Sequence, residues 1–394
     1  MGRIFVTGIG VISAIGKNAL ENREALKSGQ CGMTHLDMLT THFSNKLPFG
    51  EVKMSNDHLK THLNAREKGV TRTSLLALHA YEEAIRDSAL TNEQIRSDET
   101  ALVGASTVGG MCLTDEMYKD ANLTSGGSEY LASYDFASVN LYLQERYHMG
   151  GIVNTINTAC SSSANAIMYG ARLIKQGLAK RAIVGGSDSL AKFTINGFNA
   201  LNILSPHICK PFDEERQGLN LGEGAAFLVL EQEEECTHKK VYASLSGYAN
   251  TNDAYHPSSL SEQGDGPYLA MAGAVSSAGL RPLDIGFINA HGTGTQNNDA
   301  VEGTAMRRLF DTLPDFASTK SNIGHTLGAA GAIEAVYSIF NLHHQEIYAG
   351  LNFSKPMESG LRPVTAYAKK ELHHVLSNSF GFGGNCSSLI FSRS

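Results

Sequence analysis

Short apolar runs rich in β-branched side chains alternate along this chain with stretches whose apolar residues recur at helical spacing. RIFVTG, TALVGAST, IVNTIN, RAIVGGS and GEGAAFLVLEQ read as strands in the first part; VYASLSGYAN, IGFINAHG, ASTKSN and the hairpin HHVLSNSFGFGGNCSSLIFSR follow. Helical patterns lie near 18–28, 71–89, 161–176, 267–279, 298–310 and 328–341. That order dictates an α/β fold with buried strands. At 394 residues the chain exceeds what one hydrophobic core fills, and each part holds several strand–helix units. Two halves follow, 1–240 and 241–394, with the charged run EQEEECTHKK (231–240) read as a solvated connection.

A net charge of −7 argues against nucleic acid as the partner. The six cysteines form no CxxC pair and no His/Cys cluster of zinc spacing, so they read as reduced thiols in a cytoplasmic protein. MGRIFVTGIGVISAIG imitates a secretory signal, but glycines interrupt its apolar run and a first strand is the better reading. No apolar run approaches the ~18 residues of a membrane span.

Cys160 is the first candidate for chemistry. IVNTIN is strand-like, and Ala164, Ile167, Met168, Ala171 and Ile174 then recur at helical spacing up to Gly177. The cysteine therefore sits at a strand-to-helix turn, where unpaired N–H groups and the helix dipole favour a thiolate and lower its pKa. A free cysteine is more often inert and buried. The small side chains of CSSSANA leave room beside this one.

Of 15 histidines, most lie in polar surroundings. His291, in FINAHGTGTQNND, instead ends an apolar strand just before a Gly/Thr-rich turn, and His325, in STKSNIGHTLGAAGAIEA, lies between a strand and a small-residue helix. Strand ends in α/β folds converge on one crevice, so Cys160, His291 and His325 are expected to meet there. Glu334 is the single charge on LGAAGAIEAVYSIFN, and a buried carboxylate needs a partner; Lys320, in the preceding loop, is the local candidate. Exposure of Glu334 is the alternative. Gly8-Ile-Gly10 lacks the third glycine and the acidic residue of a dinucleotide fingerprint, and GHTLGAAGA lacks the Gly-Lys-Ser/Thr of a phosphate loop.

TACSSSANA, NAHGTGTQNND, STKSNIGHTLGAAGAIEA and NSFGFGGNCSSLIF, in that order, resemble the elongating Cys-His-His group of β-ketoacyl-acyl-carrier-protein synthases, in the thiolase superfamily. The likeness runs from VTGIGVISAIG to the terminal hairpin. It implies a thiolase-like five-layer α-β-α-β-α sandwich of two similar halves, commonly a homodimer. Cys160 takes the nucleophile's place, His291 and His325 those of the paired histidines, with Lys320 and Glu334 as the motif lysine and its partner. Phe382 matches the gating phenylalanine, its N–H completing an oxyanion hole with that of Cys160. Thr293 and Thr295 match threonines on the pantetheine arm, Asp299 a structural acid, and Val108 a limit to acyl-pocket depth.

The resemblance further implies an acyltransferase that condenses malonyl-acyl-carrier protein with a Cys160-bound acyl group, in fatty acid, polyketide or polyene synthesis, with no metal or other cofactor. Initiating relatives carry asparagine in place of the second histidine, and thiolases use a second cysteine as base; Cys386, in GGNC, is read here as a substitution. Arg66, Lys68 and Arg72 are the candidates for docking an acidic carrier protein. Asn202, where a basic residue is usual, and TSGGSEY (124–130), which lacks positive charge, depart from the family pattern. The alternative is a pocket-shaping subunit, like a chain-length factor, of a heterodimeric ketosynthase, although Cys160 speaks against that role. A Cys-His acyl hydrolase is a third reading with no further support.

Overall fold

The computed structural model describes residues 2–123 and 125–394. Among these residues twelve strands run in chain order: β1 Ile4–Ile12, β2 Thr100–Ala105, β3 Val153–Ile156, β4 Arg181–Asp188, β5 Gly224–Gln232, β6 Ala243–Asn252, β7 Phe287–Asn289, β8 Asp315–Ala317, β9 Glu346–Ile347, β10 Ala368–Lys369, β11 His374–Phe380 and β12 Asn385–Ser392. β9 and β10 form a small ribbon, and the other ten are ordered β3-β2-β4-β5-β1-β6-β12-β11-β7-β8. β1 meets β6 only through Phe5–Ser244 and Val6–Ala243, so two five-stranded units join there.

Each unit has the same wiring. In the first, β3, β2 and β4 are parallel and β5 is antiparallel to both β4 and β1. In the second, β8, β7 and β11 are parallel and β12 is antiparallel to both β11 and β6. All residues of β1, β2 and β4 are buried, as strands covered on both faces must be.

Five layers result. Helices Asn56–His62, Arg72–Asp87 and Ser138–Tyr147 cover the outer face of the first unit; Asp265–Ser277 and Gln296–Leu309 cover that of the second. Helices Ser162–Lys175 and Ala330–His344 share one core with strands of both units, which makes them the middle layer. They cross closely. A Cβ on Gly331 would lie 2.7 Å from Ala164 N, and Ser163 Oγ accepts from Ala332 N at 2.8 Å. Ala, Ser and Gly in SSSANA and GAAGA serve this contact.

The segment 231–240 is not uniformly solvated. Glu231 belongs to β5 and is fully buried, pairing with Lys239 at 2.8 Å and Arg181 at 3.4 Å and accepting from the Thr7 hydroxyl at 2.7 Å. Two cations arriving from outside the strand make this burial tolerable. Glu231→Ala is expected to cost about 1–3 kcal/mol, read as a lowered urea midpoint, because Lys239 and the Thr7 hydroxyl lose their acceptor while Arg181 keeps Glu235.

Candidate active site

Cys160 follows β3 through a tight turn in which Ala159 takes a left-handed φ of 55°. Hydroxyl bonds hold the turn: Ser162 Oγ accepts from Thr158 N at 2.9 Å, and Ser161 Oγ donates to Thr158 O at 2.8 Å. The helix starts at Ser162, so the sulfur lies just before its N-terminus. The N–H groups of Cys160 and Phe382 face the sulfur, yet burial dominates and pushes the thiol up to about 11; the Lys320 charge and those two N–H groups only moderate the rise. The expected lowering of this pKa is therefore corrected. A helix end stabilises a thiolate less than loss of water destabilises it.

Two elements of the second unit bring the histidines. His291 follows β7, where its N–H and that of Gly292 each donate at 2.8 Å to the buried Glu302 carboxylate. His325 follows the short helix Lys320–Ile323, and its N–H donates to Asn220 O at 2.7 Å. The rings stand edge to face with centroids 5.4 Å apart. One ligating atom of each of Cys160, His291 and His325 lies within 4.8 Å of the other two.

Outside contacts set the tautomers. Lys320 Nζ donates to His291 Nδ1 at 3.2 Å and to His291 O at 2.6 Å, and pairs with Glu334 Oε1. Leu327 N donates to His325 Nδ1 at 3.2 Å. Both rings therefore accept at Nδ1 and carry hydrogen on Nε2. Burial holds both well below the ordinary 6.5, and the Lys320 charge lowers them further. The histidines are neutral donors. That ammonium also opposes a cation among these three groups. Lys320 and Glu334 are each 2% exposed, so Glu334 is not on an open helix face. Burial raises its pKa and Lys320 pulls it back.

Cys160, His291 and His325 share a cavity of about 660 Å³ lined also by Phe198, Thr293, Thr295 and Phe382. The Thr293 and Thr295 hydroxyls lie 2.9 Å apart, and Asp299 holds their turn by accepting from Thr293 N at 3.0 Å. Phe382 stacks on Phe198 at 5.8 Å. Val108 does not line this cavity; it is buried with Leu190, Ile195 and Leu327.

Residues 1–236 match the family model described as beta-ketoacyl synthase, N-terminal domain, and residues 242–354 the corresponding C-terminal domain. The chain is 32% identical over 417 residues to 3-oxoacyl-(acyl-carrier-protein) synthase 2 of Vibrio cholerae, covering 99% of each. It is 30% identical to the mitochondrial 3-oxoacyl-(acyl-carrier-protein) synthase of Arabidopsis thaliana, over 99% of this chain and 93% of that protein. The ishigamide ketosynthase/chain length factor matches its fold with a TM-score of 0.91 at 26% identity, covering 100% of this chain and 99% of that one. A ketosynthase solved with its chain length factor, from Xenorhabdus doucetiae, matches with a TM-score of 0.87 at 30% identity, covering 100% and 98%.

The chain belongs to the β-ketoacyl synthase family.

In this synthase the candidate docking residues part company. Arg66 and Lys68 are exposed, whereas Arg72 is corrected to an internal role. Its guanidinium lies 2.6 Å from Glu223 Oε1 and donates to Val52 O and Met54 O, each at 2.9 Å, so its donors are spent inside the fold. In TSGGSEY, Thr124 lies outside the described residues. Cys386 is buried in β12, donates to Gly384 O at 3.4 Å and does not line the cavity. Sequence reasoning missed Glu302, three residues beyond Asp299 on the same helix, and Phe198. Acids three apart at the start of a helix that follows a histidine turn were the available signal for the first; Phe198 had none.

Two measurements test the site. Lys320→Met should destabilise the synthase by about 3–5 kcal/mol by stranding Glu334. Adding Glu334→Leu should restore most of that in urea unfolding, while malonyl decarboxylation stays down by about tenfold or more. In the second, lowered histidine pKa values mean that the unfolded chain takes up more protons below 6.5, so stability declines as pH falls through that value. Decarboxylation per folded molecule should nevertheless show no loss centred on 6.5, because the folded rings titrate lower. A pH–rate limb at that point that survives Glu302→Gln would contradict their neutrality, burial having raised that acid to about 7.

Proposed function

We propose that this synthase elongates an acyl chain by decarboxylative Claisen condensation, with Cys160 as nucleophile and His291 and His325 as enolate stabilisers. The observation that carries the reading is that Cys160 and two rings whose Nδ1 atoms accept from outside donors lie within 4.8 Å of one another in one cavity.

The Cys160 sulfur attacks the thioester carbonyl of an acyl-carrier protein, and the oxyanion forms between the N–H groups of Cys160 and Phe382. The carbonyl–sulfur bond of the donor breaks. The acyl group stays on Cys160, and the thiol proton ends on the departing pantetheine sulfur. Malonyl-carrier protein then enters along Thr293 and Thr295. Its carboxylate–carbon bond breaks, CO2 leaves, and the electron pair passes to the thioester oxygen as an enolate. Two Nε2–H donors favour that oxygen most when its charge develops, so they act on the transition state more than on the bound substrate. The enolate carbon attacks the acyl carbonyl, the bond to Cys160 breaks, its sulfur takes a proton from solvent, and a 3-oxoacyl thioester two carbons longer departs. Lys320 and Glu334 keep His291 in its donor tautomer.

In this reading 1–240 is the domain that supplies Cys160 and 241–394 the domain that supplies both histidines. An acyl-carrier protein is the partner for both substrates, reached with help from Arg66 and Lys68. The assembly is a homodimer or a heterodimer with a homologous subunit, in the cytoplasm. Among the described residues no helix is long and apolar enough to cross a membrane. The pairing of similar ketosynthases with chain length factors keeps a pocket-shaping role as the second reading.

Incubation with acyl-carrier protein should add the acyl mass to Cys160, and Cys160→Ala should abolish the adduct. His291→Ala and His325→Ala should each reduce malonyl decarboxylation by about a hundredfold or more while Cys160 acylation continues. An unmodified Cys160 under saturating donor would defeat the reading. Turnover by the purified chain alone, with one carrier protein, would eliminate the second.

A further inference from the structure

The end of β4 carries a buried carboxylate that the chemistry above leaves unused. Asp188 is fully buried and, among the described residues, makes no ion pair. Donors fill its oxygens instead. Oδ1 accepts from the Ser106 hydroxyl at 2.7 Å, Thr107 N at 2.9 Å and Val108 N at 2.8 Å. Oδ2 accepts from the Thr107 hydroxyl at 2.6 Å and Gly328 N at 2.7 Å. A buried charge without a cation is costly, and this one joins two segments far apart in sequence, the loop after β2 and the turn before the inner helix Ala330–His344.

The second segment bears on catalysis. Gly328 is the middle residue of the turn Leu327–Ala329, and Leu327 there holds a left-handed φ of 53°, costly for a branched side chain. The N–H of this strained residue is the one that donates to His325 Nδ1. Asp188 grips the next N–H along the chain. The approach also demands glycine at 328, since a Cβ would sit 2.8 Å from Asp188 Oδ2 and 2.9 Å from Thr107 Cγ2.

We propose that Asp188 is a positioning residue for malonyl decarboxylation: it holds the Leu327–Gly328 peptide so that Leu327 N–H stays on His325 Nδ1 and the ring keeps its Nε2–H in the cavity. Asp188 touches neither substrate nor His325; it acts through the turn. The carboxylate is needed rather than its shape. An asparagine of equal size turns an NH2 group toward backbone donors at one end or the other, and neither the Val108 nor the Gly328 N–H can reverse its polarity.

The inference rests on the condensing reading. The test uses the whole purified chain and follows Cys160 acylation by mass and CO2 release from malonyl-carrier protein. Asp188→Asn should lower decarboxylation by about tenfold or more and leave acylation within about threefold. In a His325→Ala background the same change should add nothing, because its effect passes through that ring. Equal losses in both steps, or an undiminished further loss in the double variant, overturns the proposal. If Asp188→Asn does not fold, Thr107→Val deletes one donor and should give the same split at about threefold; an even loss overturns it. A third readout needs no turnover. In nitrogen-15 histidine NMR, the His325 signal (assigned by its disappearance in His325→Ala) should move from the Nε2–H form toward a mixture in Asp188→Asn. An unmoved signal counts against Asp188, whereas a wild-type chain that is never acylated counts against the condensing reading.

Discussion

The close crossing of the two inner helices governs where everything else can be. Gly331 lies against Ala164, and the Ser163 hydroxyl takes the Ala332 N–H, so the N-terminal ends of Ser162–Lys175 and Ala330–His344 are fixed side by side. Cys160 precedes one of these ends and His325 the other. A larger side chain at the crossing would part the helices, and the sulfur and ring would part with them. Two halves of equal topology thus share one candidate site because their inner helices share one core.

Burial then decides the electrical character of that centre. Both imidazoles are kept neutral, and the thiol is made harder to ionise. The ammonium of Lys320 is spent on Glu334 and on His291, where it orients a ring rather than charging it. Three other buried acids, Asp188, Asp299 and Glu302, spend their lone pairs mainly on backbone N–H groups around the catalytic turns. Carboxylates used this way fix loop geometry in a dry interior, where an N–H without an acceptor would be costly. In the proposed mechanism these donors are in place before charge develops on a substrate oxygen, which is the condition for electrostatic catalysis without reorganisation.

Much of this was legible in the sequence. Strand–helix alternation gave the class of fold, and the turns after IVNTIN and IGFINA gave Cys160 and His291. A lone acid on an apolar helix pointed to Lys320 and Glu334. The failures share a cause. Arg72 looked like a surface charge because its partner, Glu223, is 151 residues away. Glu231 looked solvated although its partner Lys239 lies in the same run, because its burial in β5 and its second cation, Arg181, come from packing against residues 50 positions away. The Cys160 pKa was judged from a local helix end, whereas the depth of burial depends on how both halves close over it. Asp188 gave no local signal at all, since its donors come from residues 106–108 and 328.

The sequence by itself determined which residues stand at strand ends, which helices are small and apolar enough to pack inside, and which chemical groups are on hand. Local periodicity and turn preference act over a few residues and need no knowledge of the rest of the chain. Only the tertiary structure decided which nitrogen of each ring carries hydrogen, which charges are consumed internally and how hard the thiol is to ionise. Those properties arise from contacts between segments tens to hundreds of residues apart and from exclusion of water, and no short stretch of sequence encodes either.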